Sequence, residues 1–157
     1  MSIKRQVYVI LLFVLVSTIT GCVGTLAKSN SYQITHNRGV PKPSNGNAVV
    51  CVYRIWRFAN GGATFYIFKD DKIVGVSHRG TYFCHETSPG EYSYYVEWGG
   101  VNEKITTSIM IRAKVNKQYF ISFLADAAEM REVSKSLAQK EMKDLEYTEY
   151  LPPIIPK

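Results

Sequence analysis

The chain has 157 residues, a formal charge of +6, and 46 % hydrophobic and 20 % charged residues. That is room for one domain rather than two. The lysines and arginines are scattered in runs no longer than two, which argues against a nucleic-acid-binding stripe. Eleven tyrosines suit half-buried strands, with the ring inside and the hydroxyl at the edge.

The N-terminus reads as an export signal. Lys4 and Arg5 supply a short positive start, Val7 to Val16 is a nearly unbroken apolar run, and Ser17 to Gly21 turn small and polar before Cys22. That order defines a secretory leader, here residues 1–21. The apolar run falls short of the roughly 20 residues that span a bilayer. Ile19-Thr20-Gly21-Cys22 resembles the lipobox of bacterial lipoproteins, with isoleucine where leucine is commoner. The resemblance implies cleavage before Cys22 and lipid attachment, of the palmitate kind, to its sulfur and new amino terminus. Two or more acyl chains anchor stably where one does not. Val23 rather than aspartate follows the cysteine, which by the same resemblance implies the outer membrane, with the domain in the periplasm.

Residues 22–46 combine the lipidated cysteine with a segment rich in Lys, Ser, Asn, Gly and Pro. Such composition predicts a flexible tether that packs on nothing and is cut first at Lys28, Arg38 or Lys42. A domain is expected over residues 47–147. Ala48–Ile55 is apolar on both faces except Arg54, which marks an inner strand. Thr64–Lys69 and Lys72–Ser77 flank Asp70-Asp71 as a hairpin. A short strand covers Gly80–His85, and Ser88-Pro89-Gly90 is turn chemistry. Glu91–Trp98 alternates, with Tyr92, Tyr94, Val96 and Trp98 on one face and Ser93, Tyr95 and Glu97 on the other. Lys104–Arg112 alternates too, with Ile105, Thr107, Ile109 and Ile111 facing in. Gln118–Leu124 is apolar on both faces and reads as central. Residues 128–133 form a last strand or a bend.

Ser134 to about Glu146 has the pattern of a helix capped by Ser134. Leu137, Ala138, Met142 and Leu145 make one apolar stripe, which is expected to lie on the sheet with Leu137 and Leu145 buried. Residues 148–157 read as an extended, proline-rich tail. The fold class expected is mainly β: an antiparallel β-sandwich of seven or eight strands with one C-terminal amphipathic helix.

Candidate site residues are few. With Cys22 consumed by lipid, Cys51 and Cys84 remain as an even pair, either a disulfide or two buried thiols. Cys84-His85, with His78 nearby, invites a nucleophile–base reading, but neighbours in a strand point to opposite faces. Their spacing also lacks the pattern of a zinc site. Tyr95, Trp98 and Trp56 are candidate ligand-facing aromatics for a glycan or a peptide. No metal and no cofactor beyond the covalent lipid on Cys22 is expected.

An ordered set of short motifs carries a further resemblance: Val52-Tyr53-Arg54, Lys72-Ile73-Val74-Gly75, Gly80-Thr81-Tyr82-Phe83, Pro89-Gly90 and Lys117-Gln118-Tyr119-Phe120. Over about Ala48 to Leu145 the chain resembles the bacterial lipoprotein family catalogued as domain of unknown function 2846. Lys-Gln stands where a small residue usually precedes the last aromatic pair. The resemblance implies an envelope β-domain with no assigned activity and no catalytic residues to carry over. The expectation is a membrane-tethered, non-catalytic structural or interaction module with an envelope protein as partner. The alternative is a glycan- or peptidoglycan-binding lipoprotein, and an envelope hydrolase is the weakest reading.

Overall fold

The computed structural model describes residues 32–57, 62–99 and 104–151, with only the backbone at 97–99 and 104–106. The expected leader, Cys22 and Lys28 lie outside that range. Among the described residues ten strands, where seven or eight were expected, and one helix follow in chain order: β1 (Tyr32–Thr35), β2 (Ala48–Arg54), β3 (Phe65–Lys69), β4 (Lys72–Ser77), β5 (Thr81–Thr87), β6 (Gly90–Gly99), β7 (Lys104–Ala113), β8 (Gln118–Leu124), β9 (Glu129–Glu132), α1 (Lys135–Met142) and β10 (Glu146–Tyr150). They build a six-stranded sheet of order β1-β10-β5-β2-β8-β9 and a four-stranded sheet of order β4-β3-β6-β7. The expected mainly β architecture with one C-terminal helix is what forms. Pairing is antiparallel except for β2 with β8 and β5 with β10.

β2 shows why the molecule has three layers. All seven of its residues are buried, Arg54 included. Successive side chains in a strand point to opposite faces. Val50 and Val52 therefore meet Phe65, Ile67, Tyr94 and Ile111 between the sheets. Val49, Cys51 and Tyr53 point the other way and meet Ala138, Met142 and Leu145. A strand with two apolar faces needs two covers, and here they are the four-stranded sheet and the helix. β8 works the same way, with Ile121 and Phe123 in the first cluster and Phe120 in the second.

The hairpin at Asp70-Asp71 forms as expected, and both residues adopt positive φ, 43° and 66°. Two successive left-handed residues match the strand twist in a two-residue hairpin, and aspartate tolerates them better than most. Gly75 lies directly under the Phe83 ring, where an added Cβ would sit 2.4 Å from a ring carbon. Glycine there lets the two sheets close.

Four expectations require correction. Residues 32–46 are not a free tether. β1 adds to the sheet edge in register with β10, Tyr32 opposite Tyr150. The segment after it then straps across the sheet beside α1. Val40 packs on the helix-side cluster, Gln118 Nε2 donates to Pro41 O at 2.7 Å, and Ser44 N donates to Glu86 at 2.9 Å. The strap's polar residues are satisfied by distant parts of the chain, which local composition does not show.

The C-terminal boundary also moves. Residues 148–150 belong to β10, where Thr148 Oγ1 donates to Val76 O at 3.1 Å and so ties the edge of one sheet to the other. The helix is shorter than its pattern, ending at Met142, because Leu145 must turn inward to lead β10 alongside β5. Finally, Leu137 is 37 % exposed. The stripe rotates so that Ala138, Met142 and Leu145 make the contact, and Leu137 sits at its margin. Ser134 does cap the helix, its hydroxyl accepting from Leu137 N at 3.3 Å.

Candidate functional site

Cys51 and Cys84 face each other in register on β2 and β5. Their sulfurs are bonded, with Cα atoms 4.0 Å apart and a sequence separation of 33. The bond lies on the helix side of the six-stranded sheet. It consumes the Cys84 thiol, so no nucleophile is left there.

His85 points to the opposite face of β5. Tyr94 Oη donates to its Nε2 at 3.0 Å, and its Nδ1–H donates to Glu86 O at 3.1 Å. Those partners select the Nδ1–H tautomer of the neutral ring. Burial drives the His85 pKa down to about 4, and the Lys69 cation nearby acts in the same direction. Lys69 is itself held, donating to Thr87 Oγ1 at 2.7 Å and lying 3.9 Å from the centre of the Tyr92 ring. Burial also raises the Tyr94 phenol well above the usual range. At neutral pH this group of residues is an uncharged ring and a protonated phenol beside one cation. It joins the two sheets at the rim of the core.

The candidate aromatics do not assemble into one surface. Tyr95 lies on the outer face of the four-stranded sheet, stacked on Phe68 with ring centres 4.9 Å apart and planes 6° from parallel. Its hydroxyl donates to Asp71 at 2.9 Å. Trp56 follows β2, where its ring covers Gly80 and the Arg79 guanidinium lies 5.0 Å from the ring centre. The Trp98 side chain lies outside the described residues. Gly80 needs its left-handed φ of 75°, and the tryptophan ring occupies the space a side chain would take.

The outer face of the four-stranded sheet carries residues that the sequence reading did not single out. Ile73 pairs with Phe68, Phe68 with Tyr95, and Tyr95 with Ser108. Directly paired residues share a face. Tyr66 and Met110 join that face two positions along their strands, and Met110 is 58 % exposed. The signal was present in Phe65–Phe68, which is apolar at every position. One half of such a strand must face away from the core. Because the Phe68–Tyr95 stacking distance equals the usual strand spacing of about 4.8 Å, the two rings face each other along the sheet. Their edges, not their faces, point outward.

Among the described residues no group of three metal-binding side chains occurs, and no helix is long and apolar enough to cross a membrane. Against known protein families, curated proteins and solved structures, the chain finds no match.

Proposed function

We propose that this chain is a lipoprotein of the bacterial cell envelope, lipidated on Cys22 and held by that lipid at the outer membrane, facing the periplasm. Its β-domain acts as a non-catalytic interaction module. The observation that carries the reading is the Cys51–Cys84 disulfide at the centre of the larger sheet. Disulfides form and persist in exported proteins and are rare in the cytosol. The leader and the lipobox-like Ile19-Thr20-Gly21-Cys22 agree with that compartment. The ordered motifs that resemble those of the lipoprotein family of domain of unknown function 2846 agree with it as well.

The exposed Ile73, Tyr66 and Met110 around the Phe68–Tyr95 pair support an interaction role, since among the described residues they gather apolar surface on one sheet face. They favour a protein partner over a sugar. Sugars stack on ring faces, and this face offers ring edges.

Metabolic labelling with an alkyne fatty acid tests the anchor. The wild type should take label and fractionate with membranes, and Cys22→Ala should do neither. Equal label on both chains would overturn the reading. A photo-crosslinking residue at Met110 should capture an envelope protein of one defined mass in living cells, and Ile73→Asp should abolish that capture. Identical capture from Leu137, on the far side of the molecule, would show that the sheet face is not special.

A further inference from the structure

We propose that the cavity between the N-terminal strap and α1 is a binding site for a phosphoryl group. It has a volume of about 460 Å³ and opens between the two segments. That lies within the usual range for small-ligand sites, roughly 300–1,000 Å³. Its lining includes Lys42 from the strap, Tyr82 and Gln118 from the sheet, and Lys135, Gln139 and Lys143 from the helix. Among the described residues, no aspartate or glutamate lines it.

The placement follows from sequence spacing. Lys135, Gln139 and Lys143 recur every four residues and so form one row along the helix. The strap runs beside that row and contributes Lys42 from the other wall. Asn37 fixes the strap to the helix end, its Nδ2 donating to Leu145 O at 3.0 Å and Met142 O at 3.1 Å. Gln118 holds the next stretch through Pro41 O, so this wall is anchored at both ends.

None of Lys42, Lys135 and Lys143 forms an ion pair among the described residues. Glu141 of the same helix is turned to the Tyr53 hydroxyl instead. Lys135 gives one hydrogen bond to Gln118 Oε1 at 2.8 Å, which leaves two of its three donors for a ligand. An anion entering the cavity would meet the field of all three lysines at once. The lining carries donor-bearing side chains on the strap, the sheet and the helix side: Lys42, Gln118, Lys135 and Lys143. That arrangement suits a tetrahedral oxyanion with several free oxygens better than a planar carboxylate, which offers two. Lysine binds phosphate as a point charge without requiring a fork geometry.

Two sources present that chemistry: an anionic phospholipid headgroup and a free phosphoester. The strap itself leads back toward Cys22, and that continuity favours the headgroup. The site is a property of the folded domain, however, and does not depend on lipidation. The test therefore uses the chain from residue 22 onward carrying Cys22→Ser, so that failure of the anchor and failure of the site are read separately.

Binding to vesicles of phosphatidylcholine, with and without phosphatidylglycerol, is measured by co-sedimentation at low ionic strength. A lysine near an anionic surface is worth a factor of about 5 in partition, so Lys135→Ala/Lys143→Ala should lose on the order of 20-fold. The charge-matched Lys72→Ala/Lys114→Ala, outside the cavity, should lose only a few-fold. In a second arm, glycerol 3-phosphate is titrated while the amide resonances of Gln139 and Lys143 are followed. Saturable shifts in the wild type that vanish in the Lys135→Ala/Lys143→Ala chain support the site. With vesicle preference they assign a headgroup, and without it a free phosphoester. Equal losses in the two double variants would reduce the effect to diffuse charge attraction and overturn the proposal. So would the absence of both vesicle preference and saturable shifts.

Discussion

Asn37 binds more of the fold together than its composition-poor surroundings suggest. Its Nδ2 reaches carbonyls at the end of α1, and its Oδ1 accepts from the Tyr82 hydroxyl at 2.8 Å and from Gly39 N at 2.8 Å. The last carbonyls of a helix have no partner within it, so one side chain supplies what the helix lacks. Asn37→Ala should lower the unfolding free energy by about 1–3 kcal/mol, the cost of leaving such groups unpaired. Asn37→Asp should be at least as damaging, because it sets a negative charge against the negative end of the helix. Asn45→Ala, in the same strap, should change little. Urea denaturation of the three variants checks this, and an Asn37→Asp chain as stable as the wild type would sink it. His85 makes a different prediction. Its folded pKa, about 4, lies below the ordinary value of 6.5, so between those values the unfolded chain binds more protons. The His85 contribution is complete above pH 6.5, falls as pH drops through the window, and levels off below pH 4. At 1.36 kcal/mol per pKa unit it amounts to about 3 kcal/mol at most. Glu86, held down by the Ser44 hydroxyl, and Asp126, held down by Arg57, lose their contributions only below the ordinary carboxylate range. The upper part of the window therefore reports His85. In His85→Leu the stability curve above pH 5 should be flat; an unchanged slope would assign it to another group.

At the scale of elements, the helix is where the clearest contrast lies. Met142 is 4 % exposed and meets Cys51, Tyr53 and Tyr82 in one cluster, whereas Leu137 is 37 % exposed. Met142→Ala should cost about 2–5 kcal/mol. Leu137→Ala should cost about 0.5 kcal/mol or less, as surface changes usually do. Thermal midpoints of the two variants decide the matter, and a larger drop for Leu137→Ala would mean that the helix is rotated relative to the structure. The same contrast shows what the sequence made legible. Strands β2 to β8 announce themselves because each is long and patterned, and Tyr92, Tyr94 and Val96 alternate inward as their spacing implies. The helical stripe was legible as a stripe, but its margin was not, since period alone does not say which of four neighbours sits deepest. β1 and β10 were hidden for another reason. Tyr-Gln-Ile-Thr and Glu-Tyr-Thr-Glu-Tyr are short and polar, and each becomes a strand by pairing with the other across more than a hundred residues. Of the candidate aromatics, Tyr95 was legible because it broke the alternation of its strand. Its partner Phe68 was not, because an all-apolar strand conceals which half faces out.

For the whole molecule, the disulfide links the two central strands of the larger sheet. Only residues 23–31 separate Cys22 from β1, and a chain of about that length spans at most roughly 35 Å when fully extended. A lipid on Cys22 would thus hold the folded domain within one domain diameter of the bilayer, far closer than a tether reaching to residue 46 would. In that setting the disulfide matters as a constraint on the unfolded chain. Closing a loop of 33 residues is worth about 3–4 kcal/mol in the chain-entropy account, a large part of the 5–15 kcal/mol typical of a domain. Strand pairing already brings Cys51 and Cys84 opposite each other, so the bond adds no new contact to the folded sheet. Its effect should appear in stability and not in structure. Cys51→Val/Cys84→Val refills the buried volume while leaving the chain unlinked. In the Cys22→Ser background it should lose about 3–4 kcal/mol against the oxidised wild type, with circular dichroism unchanged, and reducing the wild type with dithiothreitol should bring the two together. Thiol titration in denaturant should find no free thiol in the oxidised Cys22→Ser chain. If the valine pair proves as stable as that oxidised chain, the crosslink contributes nothing and packing alone holds β2 to β5.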